Sequence, residues 1–343
     1  MDSYQRILSK FARKNILVIG DVILDQYIQG SVSRISPEAP VPVVVEKKSF
    51  YTPGGAANVA NNLRGLGARV TIVGRIGNDQ EGRILKSKLS KEGVNVQGLL
   101  IDRKLPTICK TRVIAQNQQI VRIDREKTSH PGSQEIPPRM FRFIKNAIGR
   151  FHAVILSDYG KGLITPELVN FVRAQALAKK KIIIVDPKVE HFAYYRNVTA
   201  ITPNLKEAEN AIRNIKITSK AGAQLEIHSD KLTNDQDINR AGEELRRYLE
   251  LDALLITLGE RGMRLFEKGK TPVLIKTVAQ EVYDVSGAGD AVISTFTLSL
   301  AAGANKRHAA EIANFAGGIV VGKIGAVAVT KEELAKAIKD HHS

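Results

Sequence analysis

Near the C-terminal end of the chain, Asp284-Val285-Ser286-Gly287-Ala288-Gly289-Asp290 joins a backbone that can turn tightly to a carboxylate placed directly after it. The segment follows a strand-like run, Pro272–Val278, and opens an apolar helix rich in small residues, Ala291–Ala302. Glycines allow close approach of backbone to ligand. The free N–H groups of a first helical turn, with the helix dipole, form an anion site. Asp290 in that turn would stand beside a bound phosphate, where a carboxylate suits proton removal from an attacking hydroxyl. A plain helix start, with Asp290 facing the dipole, is the bland alternative.

Three further groups carry polar chemistry at strand ends. Gly20-Asp21-Val22-Ile23-Leu24-Asp25 places Asp25 past the first strand, and Pro53-Gly54-Gly55-Ala56-Ala57-Asn58 places Asn58 at a helix start. A carboxylate and an amide accept from and donate to hydroxyls, which suits a polyol, and Gly54 and Gly55 permit close approach. Asn204-Leu205-Lys206-Glu207 and Thr257-Leu258-Gly259-Glu260-Arg261-Gly262 both leave strands where nucleotide phosphates sit in an α/β sheet. Each alone reads equally as an ordinary turn or cap. Two tempting matches fail. Gly77 to Ile84 has P-loop glycine spacing without the Lys-Ser/Thr pair. Gly287-Ala288-Gly289 starts like a dinucleotide fingerprint, but Val292 replaces the third glycine.

The elements needed to hold these groups are legible. β-branched runs at Asn15–Gly20, His152–Ser157, Lys181–Asp186, Val198–Thr202 and Ala253–Leu258 alternate with amphipathic helices at Thr165–Ala178, Leu205–Arg213 and Ile238–Leu249. This alternation predicts a mostly parallel sheet with helices on both faces. Val41–Glu46 and Thr107–Asp124 break the rhythm as extended segments without helices. They predict a small antiparallel sheet standing off the main body, a lid or a subunit interface. The polar stretch Lys216–Asp237 reads as a loop or irregular insertion.

The chain has 343 residues, 43% of them hydrophobic, with one cysteine and a net charge of +16. The length supports a large core. The lone Cys109 excludes an intramolecular disulfide or a cysteine-rich metal site, and the polar N-terminus lacks a signal-peptide pattern. No apolar run is long enough to span a membrane. A cytoplasmic protein is expected. The basic residues are dispersed and aromatics are only 5%, so the charge reads as a generally basic surface that gives some help to anionic substrates, and not as a nucleic-acid site.

Taken in order, these motifs resemble the ribokinase-like (PfkB) carbohydrate kinase family from about Asn15 to Thr330. The family's Asp-Thr-x-Gly-Ala-Gly-Asp signature stands here with Val285 in place of threonine. The resemblance implies one ribokinase-like domain over residues 1–343, a three-layer α/β/α sandwich with lid strands at about 26–50 and 105–125. It implies Asp290 as the base, and the N–H groups of Gly287, Ala288 and Gly289 as an anion hole. Asn204, Leu205, Lys206, Glu207, Thr257, Gly259, Gly262 and Asn314 would bind ATP. Glu207 would reach Mg2+, directly or through water, and a monovalent cation such as K+ is allowed. Asp25, Gly54, Gly55 and Asn58 would hold the sugar. Relatives often pair through the lid strands, so a homodimer is expected.

A narrower similarity, to heptose 7-phosphate kinases, rests on Ser33–Val43, Ser157–Gly162, Asp186-Pro187-Lys188 and Gln280–Val285. It implies phosphorylation of the anomeric hydroxyl of D-glycero-β-D-manno-heptose 7-phosphate, a step toward ADP-heptose and the lipopolysaccharide core. Such kinases are often fused to an adenylyltransferase domain, and none is expected within this sequence. The sugar's own phosphate requires cations, for which Arg122, Lys161 and Lys188 are the candidates. Another sugar kinase of the family, of the ribokinase, fructokinase or phosphofructokinase type, is the nearest alternative, and a non-catalytic sugar-binding protein a more distant one.

Overall fold

The computed structural model describes residues 3–116, 118–127, 136–218, 231–279, 282–323 and 327–342. The chain starts with helix α1 (Ser3–Leu8) and strand β1 (Asn15–Gly20). It then forms two long strands, β2 (Val22–Ile35) and β3 (Pro42–Gly55), before α2 (Ala56–Gly65), β4 (Arg69–Gly77), α3 (Gln80–Lys91) and β5 (Asn95–Asp102). A second pair, β6 (Ile108–Ala115) and β7 (Gln118–Arg125), precedes α4 (Pro138–Ala147), β8 (Ala153–Ser157), α5 (Pro166–Ala178) and β9 (Ile182–Asp186). The last part comprises β10 (Ala200–Ile201), α6 (Leu205–Thr218), α7 (Asp235–Tyr248), β11 (Ala253–Thr257), β12 (Met263–Glu267), β13 (Val273–Ile275), α8 (Ala288–Ala301), α9 (Lys306–Val321) and α10 (Lys331–His342).

The main sheet has the order β13-β12-β11-β10-β9-β8-β1-β4-β5. Strands β11 to β5 in that order are parallel; β12 pairs antiparallel with β11 and with β13. Strand β1 shows why the parallel strands read as unbroken apolar runs. Ile16 and Val18 pack into the core formed with α2, α8 and α9, while Leu17 and Ile19 pack into the core formed with α4 to α7. Both faces are covered, so no position can be polar without cost. The chain crosses from β1 to β4 on one side and to β8 on the other. The crevice beyond their C-terminal ends is where open α/β sheets place ligands.

The lid is a separate four-stranded sheet of order β3-β2-β6-β7. The pairs β2/β3 and β6/β7 are antiparallel, as the extended segments suggest, and the two pairs are joined by a parallel contact between β2 and β6. Its first pair begins at Val22, earlier than the segments at about 26 and 41, because Val22, Ile23 and Leu24 continue from β1 as buried strand. The expected loop at Lys216–Asp237 is helical at both described ends: α6 runs on to Thr218, with Ile212 and Ile215 buried, and α7 starts at Asp235. Residues 219–230 lie outside the described residues, as do Gln280 and Glu281. Among the described residues, no helix is long and apolar enough to cross a membrane.

Candidate active site

The signature turn ends in α8. Gly287 is its N-cap with φ +81°, a left-handed conformation that a side chain would disfavour. A Cβ built on Gly289 meets no atom within 4 Å, so the backbone there is open to a ligand. The Ala288 N–H already reaches Val285 O at 3.3 Å, a long bond, so of the three expected anion-hole donors this one must exchange a partner to serve. Asp290 follows in the first turn and is buried, 6% exposed.

Both carboxylate oxygens of Asp290 are held. Asn58 Nδ2, from the first turn of α2, donates to Oδ2 at 2.6 Å, and the Tyr159 hydroxyl donates to Oδ1 at 2.7 Å. Burial pushes the Asp290 carboxyl from 3.8 up to about 6, against the two hydrogen bonds, and the Asp25 charge adds to the rise. That places the group close to neutrality, where a general base is most effective. Tyr159 is the residue that motif reading missed. It belongs to the loop after β8, and only its presence in Ser157–Gly162 marked it.

That loop is fixed by Asp21, at the end of β1. Asp21 Oδ2 accepts from the Tyr159 and Lys161 N–H groups at 3.0 Å each, and Oδ1 accepts from Leu163 N–H at 3.2 Å. Asp158 is buried beside it, accepting from Gly160 N–H at 2.7 Å and from the Tyr195 hydroxyl, with His191 Nδ1 at 2.7 Å. Burial, then repulsion from Asp158, raises Asp21 to about 6.

On one side of Asp290 opens a cavity of about 860 Å3, lined by Asp186, Lys188, Asn204, Glu207, Thr257, Gly259, Gly262, the Gly287–Asp290 turn and Asn314. Asn204 and Glu207 form a reciprocal cap at the start of α6: Glu207 N–H donates to Asn204 Oδ1 at 2.9 Å and Asn204 N–H to Glu207 Oε2 at 2.8 Å. Two of the expected nucleotide residues do not line the cavity. Leu205 packs on the core and Lys206 is exposed, because the first turn of α6 carries them away from the wall. Asn314 is buried and donates to Lys276 O at 2.7 Å, holding the strand exit that borders the cavity.

Asp186 is a second residue the motifs did not single out. Burial, then the charges of Asp290, Glu207 and Asp158, holds its carboxyl well above the usual range. Burial also raises Glu207, while the Asn204 N–H and Lys188 oppose the shift. Lys188 therefore stands with the carboxylates of this cavity. Its stem runs past Gly160, where an added Cβ would lie 3.3 Å from it.

On the other side of Asp290 the lid approaches. Asp25, in β2, pairs with Arg112 of β6 at 2.6 Å, and a Cβ on Gly54 would fall 2.2 Å from Asp25 Oδ2. Gly54 thus leaves the space that the Asp25 carboxylate occupies while it is held by Arg112. Lys161 pairs with Glu126 at 2.6 Å and lines a smaller cavity with Asp21, Arg75 and Asp102. Arg122 holds Asp124 of its own strand. The structure thus separates the three phosphate candidates, with Lys188 in the large cavity and Lys161 and Arg122 on the lid side.

The pfkB family carbohydrate kinase model matches residues 13–333, and the chain belongs to that family. It is an ATP-dependent sugar kinase. It is 43% identical over 333 residues to the bifunctional protein HldE of Desulfatibacillum aliphaticivorans, covering 97% of this chain and 65% of that protein. The chain therefore spans just under two thirds of that relative's length. In fold it is similar to Arabidopsis thaliana ribokinase complexed with ribose and ATP, with a TM-score of 0.73 at 18% identity over 95% of this chain and 99% of that one. Phosphofructokinase-2 of Escherichia coli in complex with potassium gives 0.74 at 18%, over 96% and 100%.

The family implies a divalent cation as well as ATP. Among the described residues no three His, Cys, Asp or Glu side chains could hold a metal together. Mg2+ commonly takes one or two carboxylates and completes its shell with water and phosphate oxygens. Asp186 and Glu207 line the same cavity wall, and a bound cation would relieve the repulsion between their charges, so they fit that requirement.

The hydrogen bond from Tyr159 favours the ionised Asp290. In Tyr159→Phe the acid limb of the kcat/KM profile is expected to move to higher pH, with the plateau lowered by about 10-fold or less. A limb that stays in place would show that the hydroxyl does not act on the base.

Proposed function

We propose that this chain transfers the γ-phosphoryl group of ATP to the anomeric hydroxyl of D-glycero-β-D-manno-heptose 7-phosphate in the cytoplasm, forming the 1,7-bisphosphate used in ADP-heptose and lipopolysaccharide-core synthesis. The observation that carries the kinase chemistry is the doubly held, buried Asp290 at the junction of the large cavity and the lid. The choice of sugar is supported by the heptose-kinase segments. Ser157–Gly162 supplies Tyr159 and Lys161, and Asp186-Pro187-Lys188 lines the cavity wall.

In this reading Asp290 takes the proton of the acceptor hydroxyl as its oxygen attacks in line. The Gly287 and Gly289 N–H groups, with Ala288 once its bond to Val285 is exchanged, donate to the oxygens of the moving group and stabilise its charge. Thr257, Gly259, Gly262 and Asn314 seat the nucleotide. Asn204 keeps Glu207 in place, and Lys188 neutralises the phosphates. Asp186 and Glu207 would hold Mg2+, which supplies charge neutralisation when bound. K+ is an additional cation of this reading, given that one neighbour in fold is a potassium complex. Asp25, Gly54, Gly55 and Asn58 face the sugar.

The lid strands extend about 40 Å from Val22 to Ile35, and Ile35, Val45, Val121 and Ile123 are exposed on them, with Val41 exposed in the turn before β3. Apolar exposure on this scale marks an interface, and a homodimer through the lid follows; a monomeric mass at micromolar concentration would refute it. The function is tested by ATP consumption with the heptose phosphate beside ribose, fructose and fructose 6-phosphate. Selective turnover of the heptose phosphate is expected. Selective turnover of another sugar would leave the base intact and overturn the substrate.

A further inference from the structure

Helix α2 carries two buried asparagines one turn apart, and only the first reaches Asp290. Asn58 and Asn62 stand at i and i+4, on one face of the helix. Asn62 is completely buried. A helix interior gains nothing from asparagine over an apolar residue, and a buried amide is costly unless both its ends are paired. The sequence motif stops at Asn58 and gives Asn62 no use.

The partners of Asn62 fix which way it faces. Val329, in the segment before α10, donates its backbone N–H to Asn62 Oδ1 at 3.2 Å. A backbone N–H can only donate, so the Asn62 oxygen takes that side and its NH2 the other. The NH2 donates to Asn58 O at 3.0 Å and to Asn58 Oδ1 at 3.4 Å. Asn58 therefore has its oxygen turned to Asn62 and its own NH2 turned to Asp290 Oδ2, at 2.6 Å. A direction set by one peptide N–H thus passes through two amides to the carboxylate. Packing holds both ends of this chain. A Cβ on Gly65 would lie 2.5 Å from Val329 O, so that glycine lets the segment reach α2. Ser294 of α8 donates to Val59 O at 3.1 Å and ties α8 to α2.

An amide free to turn would serve both forms of an acid. It would offer NH2 to the ionised carboxylate and its oxygen to the O–H of the neutral form. The Tyr159 hydroxyl is such a group, able to donate to one form and accept from the other. An amide whose oxygen already faces Asn62 offers NH2 alone, and that bond is the stronger when its acceptor is charged. We propose that Asn62 is a positioning residue that locks the Asn58 amide in one orientation, so that Asn58 only donates to Asp290. This deepens the reading of Asp290 as the base and rests on it. The other groups that act on the carboxylate are Tyr159, through its hydrogen bond, and Asp25 and Asp186, through their charges. A substitution at position 62 alters none of them.

The experiment compares wild type with Asn62→Leu, which keeps the volume and removes the amide. Leu334→Ala, which opens space under α10 and touches no member of the chain, is the control for lost packing. Thermal melts establish that both variants fold. In Asn62→Leu the acid limb of kcat/KM, set by Asp290 at about 6 in wild type, is expected to move to higher pH by about half to one pH unit. The plateau at higher pH should stay within about threefold of wild type and KM for ATP within about twofold. Leu334→Ala should melt lower with the limb in place. Neutron diffraction from deuterated wild-type crystals at about pH 5 and about pH 8, on either side of that titration, needs no variant. The Asn58 deuterons should face Asp290 at both. Deuterons turned toward Asn62 at the lower pH would overturn the lock. So would a limb that stays in place in Asn62→Leu, or one that moves equally in Leu334→Ala. A wild type without an acid limb would remove Asp290 as the base, and the deuteron positions would then decide the orientation by themselves.

Discussion

Asp290→Asn is expected to lower turnover by roughly 10²- to 10⁴-fold and, at about pH 8, to raise the melting temperature. The two effects have one origin. The folded-state carboxyl titrates at about 6 against 3.8 unperturbed, chiefly because it is buried. An acid raised in this way contributes its full stability below the lower value and loses it as pH rises through the upper one. Above pH 6 the ionised group therefore costs the apo fold on the order of 3 kcal/mol. The amide is isosteric and carries no charge. Its oxygen can accept from Asn58 and its NH2 can donate to the Tyr159 oxygen, so neither neighbour loses its partner. Calorimetry of both proteins across pH should show a gain for the variant at pH 8 that vanishes near pH 4. Wild-type kcat/KM should fall below pH 6 as the base is protonated. Retained turnover in Asp290→Asn would remove the residue from its role, and a melting gain independent of pH would remove the electrostatic account of its stability.

This coupling shows why the proposed base and its turn are legible in sequence while the groups that hold Asp290 are not. Gly287 to Asp290 are local: a turn, a cap and a first helical turn are dictated by neighbours in the chain. The same holds for Asn204 and Glu207, whose spacing of three lets each cap the other. Tyr159 lies 131 residues from Asp290 and Asn58 lies 232 away. Both meet Asp290 only because β1 stands between β8 and β4, and no local pattern encodes that meeting. The lid was visible as strands without helices, but the contact of β2 with β6 sets which residues share a row. That register, and not the alternation within β6, brings Lys110 between Asp25 and Asp124. Lys188 and Lys161 are both loop lysines following strands, and only the paths of β9 and β8 send one to the large cavity and the other to the lid side. Leu205 and Lys206 share the motif of Asn204 and Glu207, but the helical turn leaves only its first and last members on the cavity wall.

Removing the Asp21 carboxylate should disable the enzyme without unfolding it. Asp21→Ala takes away the acceptor shared by the Tyr159, Lys161 and Leu163 N–H groups. An unsatisfied buried N–H costs about 1–3 kcal/mol, at the low end for Tyr159 and Lys161, whose bonds are only partly buried. Against this loss stands relief of the ionisation of Asp21 itself, raised to about 6 by burial and by Asp158 and so penalised above that pH by on the order of 3 kcal/mol. The two nearly offset, so global stability at about pH 8 is expected to change by less than about 2 kcal/mol. The loop does not share in that balance. Once its amides have no acceptor, Tyr159 no longer meets Asp290 in a fixed place, and misplacement by a fraction of a bond length is enough to cost about 10²-fold in rate. Lys161 loses its seat with it, and its partner Glu126 is the residue that ties the end of the lid to this loop. Hydrogen exchange should therefore show protection lost at Tyr159, Lys161 and Leu163 while the amides of β1 and β8 stay protected. Turnover should drop with KM for ATP little changed, since the large cavity proposed for the nucleotide is walled by the ends of β9, β11 and α8. Amides in 159–163 that remain protected in a variant with near wild-type rates would mean that Asp158, with Tyr195 and His191 behind it, is sufficient to hold the loop. The base would then be positioned from the β9 side of the crevice and not from β1.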